Sequence, residues 1–163
     1  MLDSGPRPAV FSEDRRYRYL LARRTGLSAD GCLFIMLNPS TADETEDDPT
    51  IRRCMGFASR WGFGILVVAN VFALRSTDPK GLCRVEDPIG PENDSWLLKA
   101  AKESDSVVCA WGNWGELFRR GDQVRAMLTD AGVPIQCLGV TGQGEPRHPL
   151  YLPKGQEMEE LAA

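Results

Sequence analysis

The sequence predicts an α/β protein, a three-layer α/β/α sandwich around a central four-stranded, mainly parallel sheet. Three observations carry that expectation. "CLFIMLN" (32–38), "ILVVANVF" (65–72), "SVVCAWG" (106–112) and "IQCLGV" (135–140) are apolar runs of strand length. Strands buried on both faces of a parallel sheet read this way. Helix-like segments separate the runs, which gives βαβ units and helices on both faces. Each run ends in a polar or glycine-rich segment, and in such sheets ligands bind beyond the carboxyl ends of the strands.

The elements follow in order. Residues 1–14 read as a flexible arm, 15–155 as a single α/β domain, and 156–163 as a short charged tail. In "RRYRYLLARR" (15–24), Tyr17, Tyr19 and Leu21 alternate with Arg16, Arg18 and Leu20, the pattern of a half-exposed strand or a short helix. Asp48-Pro49 opens a helix, with Asp at the N-cap and Pro at the first helical position. Ile51, Met55, Ala58 and Trp61 recur at helical spacing, Arg53 and Arg60 share the polar face, and Gly62 stops the helix. The Pro/Gly-rich stretch 76–94 is long for a plain connection. Residues 95–104 and 115–132 read as helices, and "TGQGEPRHPLY" (141–151) as a glycine-rich loop.

The composition is that of an ordinary globular domain: 163 residues, 42% apolar, 26% charged, net charge −4 and pI near 5.1. That balance argues against a strongly basic nucleic-acid coat protein but leaves room for a local basic patch. No apolar run approaches the length of a membrane span, and the first residues lack the apolar core of a signal peptide, so a cytoplasmic location is expected. The five cysteines show no CxxC spacing and read as structural thiols; with one histidine, a His-rich metal site is excluded. No cofactor is expected.

The chemistry gathers at the strand ends. Asn38, after the first run, can donate and accept, and so orient a water or read an amide edge, or it can close a turn. Pro39 shapes that turn, and Ser40 and Thr41 can bond a phosphate or sugar, or form an ST-turn. Among Asp43, Glu44, Glu46, Asp47 and Asp48, one acid can be a general base, or two can hold a divalent cation; the plainer reading is that Asp48 caps the helix and the rest are solvated. Asn70, at the end of a buried strand, needs a partner. Arg75 can grip a phosphate bidentately or pair with an acid. Trp111, beside Gly112, can stack on a base or cover the core. His148 stands on a loop where it can stabilise a developing anion. The "TGQG" glycines open no helix and fail the dinucleotide fingerprint.

"IMLNPSTADETEDDPTIRRC", "NVFALRSTDP", "AWG" and "HPLYL" closely resemble the signature blocks of a bacterial and phage family known only as a domain of unknown function. More distantly, the block order resembles the uracil-DNA glycosylase superfamily, especially its mismatch-specific branch. "LNPS" (37–40) matches the superfamily's first motif, with Ser40 in place of its glycine; "ANVF" (69–72), "AWGNWG" (110–115) and "RHPLY" (147–151) match the later ones. The resemblance implies a uracil-DNA-glycosylase-like sheet between helices and a nucleobase, nucleotide or DNA as partner. By position it implies that Asn38 orients water, that Asn70 recognises the base or shapes the pocket, and that His148 lies on the loop that inserts into DNA or supports the leaving base; the aromatic that stacks the flipped base would be one of Phe57, Trp61 and Phe72. Asp43, the acid of the run nearest Asn38, can help to orient the water. Arg52, Arg53, Arg60 and Arg147 would contact DNA phosphates. The expected activity is metal-independent hydrolysis of an N-glycosidic bond. The alternatives are a non-catalytic nucleotide- or nucleic-acid-binding module and a metal-dependent phosphoesterase using the 43–48 acids.

Overall fold

The four apolar runs become neighbours in one sheet. The computed structural model describes residues 8–162. Its strands are β1 (Ala9–Phe11), β2 (Arg18–Arg24), β3 (Gly31–Met36), β4 (Ile65–Asn70), β5 (Ser106–Cys109), β6 (Gln136–Cys137) and β7 (Glu159–Glu160). Their order is β1-β2-β4-β3-β5-β6-β7. β4, β3, β5 and β6 run parallel, whereas β2 joins β4, β1 joins β2, and β7 joins β6 in antiparallel fashion.

The expected four-stranded sheet is therefore corrected to a mixed sheet of seven. The additional strands cover edges that a bare parallel core would leave with unpaired amides and carbonyls. One of them, β1, lies in the stretch expected to be an arm, and another, β7, in the expected tail. Residues 1–7 and 163 of those two stretches fall outside the described residues.

β3 shows why the layers form. Leu33 and Ile35 pack with Leu97, Val124 and Leu128 from helices α2 (Asn93–Glu103) and α3 (Arg120–Asp130). Cys32, Phe34 and Met36 point to the other face and pack with Ile51, Cys54 and Phe57 of α1 (Pro49–Arg60). Phe34 stacks on Trp61 with ring centroids 6.0 Å apart. Burying a side chain of this size contributes roughly 1.5–3 kcal/mol. Cys32, Cys54, Cys109 and Cys137 are buried and free. Burial pushes all four thiols up, Cys32 to about 12, so they behave as small apolar side chains.

α1 begins and ends as its sequence predicts. The Asp48 carboxylate accepts the Ile51 N–H at 2.9 Å, Pro49 takes the first turn, and Gly62 follows the helix at φ +87°. The third helix differs. Residues 113–119 form a 3₁₀ segment broken by positive φ at Phe118 and Arg119, and α3 starts only at Arg120. The cause is Trp111, around which the chain closes: a Cβ on Gly115 would lie 2.0 Å from the indole Cδ1.

The register sets the stage for function. Met36 pairs with Asn70, Ile35 with Cys109, and Cys109 with Cys137, so the carboxyl ends of the four parallel strands lie side by side.

Candidate functional site

A cavity of about 550 Å³ opens at that edge, within the size range of small-ligand sites. Asn38, Pro39 and Ser40 reach it from the end of β3, Asn70 from β4, Trp111 and Gly112 from β5, and His148 from the loop after β6. Asp48 and Thr50 enter from the start of α1, Ser76 and Thr77 from the connection after β4, and Trp114 and Tyr151 from the rim.

The polar groups are oriented. The Asn38 amide nitrogen donates to the Ser76 carbonyl at 2.8 Å and the Pro39 carbonyl at 3.1 Å. Two carbonyl partners settle which end is NH₂ and leave Oδ1 as an acceptor. Among the described residues Asp48 is the one carboxylate lining the cavity. Its Oδ1 holds the helix cap, and among the described residues no donor is bonded to Oδ2.

His148 Nδ1 accepts the Leu150 N–H at 3.2 Å. The ring proton of the neutral imidazole is therefore on Nε2, a donor. Burial lowers the His148 pKa below its ordinary 6.5, and the nearby Asp48 charge offsets part of that shift. A lowered pKa means that His148 contributes stability above about pH 6.5, lost as pH falls through the folded value. His148 is the only histidine, so a proton NMR titration follows one imidazole. Its midpoint is expected below 6.5; a midpoint at or above it would show an unburied ring.

Arg18 is the residue that sequence patterning missed. It is 2% exposed and lines the cavity. Alternation places it on the solvent side of its strand, but Val10 pairs with Leu20 while Phe11 pairs with Arg18. The extra residue, Tyr19, is a β-bulge, which breaks the two-residue alternation and re-aims the side chain. Asn70, 1% exposed, lines the same cavity from the end of β4.

Other expected site residues lie elsewhere. Phe72 is buried in the core, edge-on to Phe118 at 6.4 Å, and is corrected to a packing residue. Trp111 is 1% exposed and donates its indole N–H to Glu145 at 2.6 Å, so it is a wall of the cavity, while the accessible aromatic surface belongs to Trp114 (41% exposed) and Tyr151 (86%). Thr41 is exposed and away from the lining. Asp43 is turned aside: its carboxylate accepts the Thr45 and Glu46 N–H groups at 2.9 Å, which hold its pKa below the usual range. Arg75 lies over the Phe11 ring, 4.9 Å from its centroid.

The acidic run is dispersed. Glu44 pairs with Arg15 and Asp47 with Arg23, each at 2.7 Å, while Asp43 makes a turn and Asp48 a cap. Among the described residues no three His, Cys, Asp or Glu side chains come together as a metal site.

Of the four arginines expected on DNA, Arg52, Arg53 and Arg60 line a second cleft of about 560 Å³ with Lys154. Leu150 borders both cavities. Arg60 is paired with Glu157 at 2.8 Å. Arg147 stands apart, its Nε on the Val140 carbonyl.

A family model described as "Protein of unknown function (DUF1643)" matches residues 18–150. The chain belongs to this family. Every lining residue of the cavity except Tyr151 falls inside the matched span, from Arg18 at one end to Leu150 at the other. No curated protein and no solved structure matches the chain. Among the described residues no helix of this family member is long and apolar enough to cross a membrane.

Proposed function

We propose that the protein acts on a nucleobase or nucleotide and hydrolyses an N-glycosidic bond with its own side chains, as the likeness to uracil-DNA glycosylases implies. One observation carries the reading. Two acceptors, Asn38 Oδ1 and Asp48, and one neutral donor, His148 Nε2, line one cavity with aromatic groups at its mouth.

The chemistry follows from those groups. A water held by Asn38 and Asp48 adds its oxygen to the anomeric carbon and gives a proton to the Asp48 carboxylate. The C–N bond breaks with its electrons on the leaving base. The His148 Nε2–H donates a hydrogen bond to the developing anion, as a neutral imidazole can without giving up its proton. Trp114 and Tyr151 supply faces on which a base can stack. Asp48 takes the part expected of Asp43.

The test is base release in the presence of EDTA, from mononucleotides and from oligonucleotides carrying uracil, mismatched or modified bases. Release is expected, and loss of release in Asn38→Ala with folding intact. Ligand binding with no release from any substrate would leave a non-catalytic binding module.

A further inference from the structure

Arg18 and Asn70 present donors that nothing among the described residues satisfies. Arg18 Nε and Asn70 Nδ2 are both buried without a hydrogen-bond partner among the described residues. Among the described residues the guanidinium makes one bond, from Nη1 to the Ala42 carbonyl at 3.0 Å, and no carboxylate lies within ion-pair distance of it. Both side chains line the same cavity.

A buried charge without a partner is strongly destabilising. Natural proteins keep one where function needs it. The surroundings raise the need for an anion: Arg23 and Arg75 add positive charge around Arg18, and Asp48 is the single negative group acting on it. Burial lowers its pKa to about 10, which leaves it charged at neutral pH. A neutral carbonyl would satisfy the hydrogen bonds and leave the charge; an oxyanion answers both.

Building on the nucleotide reading above, we propose that Arg18 and Asn70 form a phosphate subsite and that the substrate is a free mononucleotide. The guanidinium offers a planar fork that matches two phosphate oxygens, and the Asn70 amide adds a third donor. The bulge at Tyr19 is the device that turns Arg18 inward to make the subsite.

Inorganic phosphate is the first probe, followed by paired nucleosides and nucleoside 5′-monophosphates, then an oligonucleotide. Phosphate is expected to raise the Tm of the wild type. Monophosphates are expected to bind at least tenfold more tightly than their nucleosides, as a charged hydrogen-bonded pair should. Arg18→Met removes the charge at similar length; it is expected to melt no lower than the wild type without ligand, and to lose both the phosphate response and the preference. Asn70→Ala, should Arg18→Met fail to fold, is expected to weaken phosphate about tenfold.

No response to phosphate in the wild type, or an undiminished one in Arg18→Met, would overturn the subsite. Equal binding of nucleoside and monophosphate, or preference for the oligonucleotide over the mononucleotide, would overturn the mononucleotide. Arg18-dependent binding with no base release would sink the hydrolase and leave the subsite standing. Base release that ignores Arg18 would do the reverse.

Discussion

Asp48→Asn is expected to lower base release by about 10²- to 10⁴-fold, the usual contribution of a positioned general base. The substitution changes one atom of a residue with two tasks. As the N-cap of α1 it accepts the Ile51 N–H, and Asn caps as well as Asp does. As a cavity carboxylate it takes a proton from water, which an amide cannot do. The cap therefore survives and the chemistry is lost. Asp43→Asn is the control, because Asp43 holds only its own turn; its activity is expected to match the wild type. Rates of base release and melting curves for both variants decide the matter. Unchanged release in Asp48→Asn would remove Asp48 from the mechanism. A Tm loss of many degrees would show that the carboxylate chiefly compensates the buried Arg18 guanidinium, whose charge it stabilises.

The parallel core was legible because its physics is local in sequence. A strand buried on both faces must be apolar along its length, as Gly31–Met36 and residues 65–69 are. A helix with Asp-Pro before it and Gly after it announces both its ends, as α1 does. The edge strands were hidden for the opposite reason. β1 has three residues and β7 two, too few for any periodicity, and they are strands only because a neighbour offers them hydrogen bonds.

Within the site, Asn38, Asn70, Trp111, Gly112 and His148 could be placed together from their strand ends alone. Direction could not. Asp43 and Asp48 are five residues apart in one acidic run, and only the turn at 43–46 decides that one faces away while the other reaches the cavity. Phe72 lies two residues past Asn70, yet its ring turns into the core. Arg18 was the most deeply hidden, since a bulge depends on which strand lies alongside and leaves no mark in its own sequence.

Gly115→Ala is expected to destabilise the fold by about 3 kcal/mol and to abolish ligand binding together. The added Cβ would stand 2.0 Å from Trp111 Cδ1 and 2.4 Å from its Nε1. That indole cannot swing aside: it is buried in the core and tied to Glu145. Either the ring moves, breaking its bond to the buried Glu145 carboxylate and collapsing the cavity wall, or the 113–119 segment lifts away and opens the rim at Trp114. Gly64→Ala separates the two effects. Its Cβ would meet the Ser28 carbonyl oxygen at 1.8 Å, a backbone clash as severe, in the loop before β3. That loop is at the amino end of the strands, opposite the cavity. Its Tm is expected to fall by a similar amount, about 6–12 °C for a chain of this size, while phosphate and nucleotide binding below the transition stay as in the wild type. Equal loss of binding in both variants would mean that the cavity depends on global stability alone. Loss confined to Gly115→Ala ties the ligand to the wall that Trp111 builds.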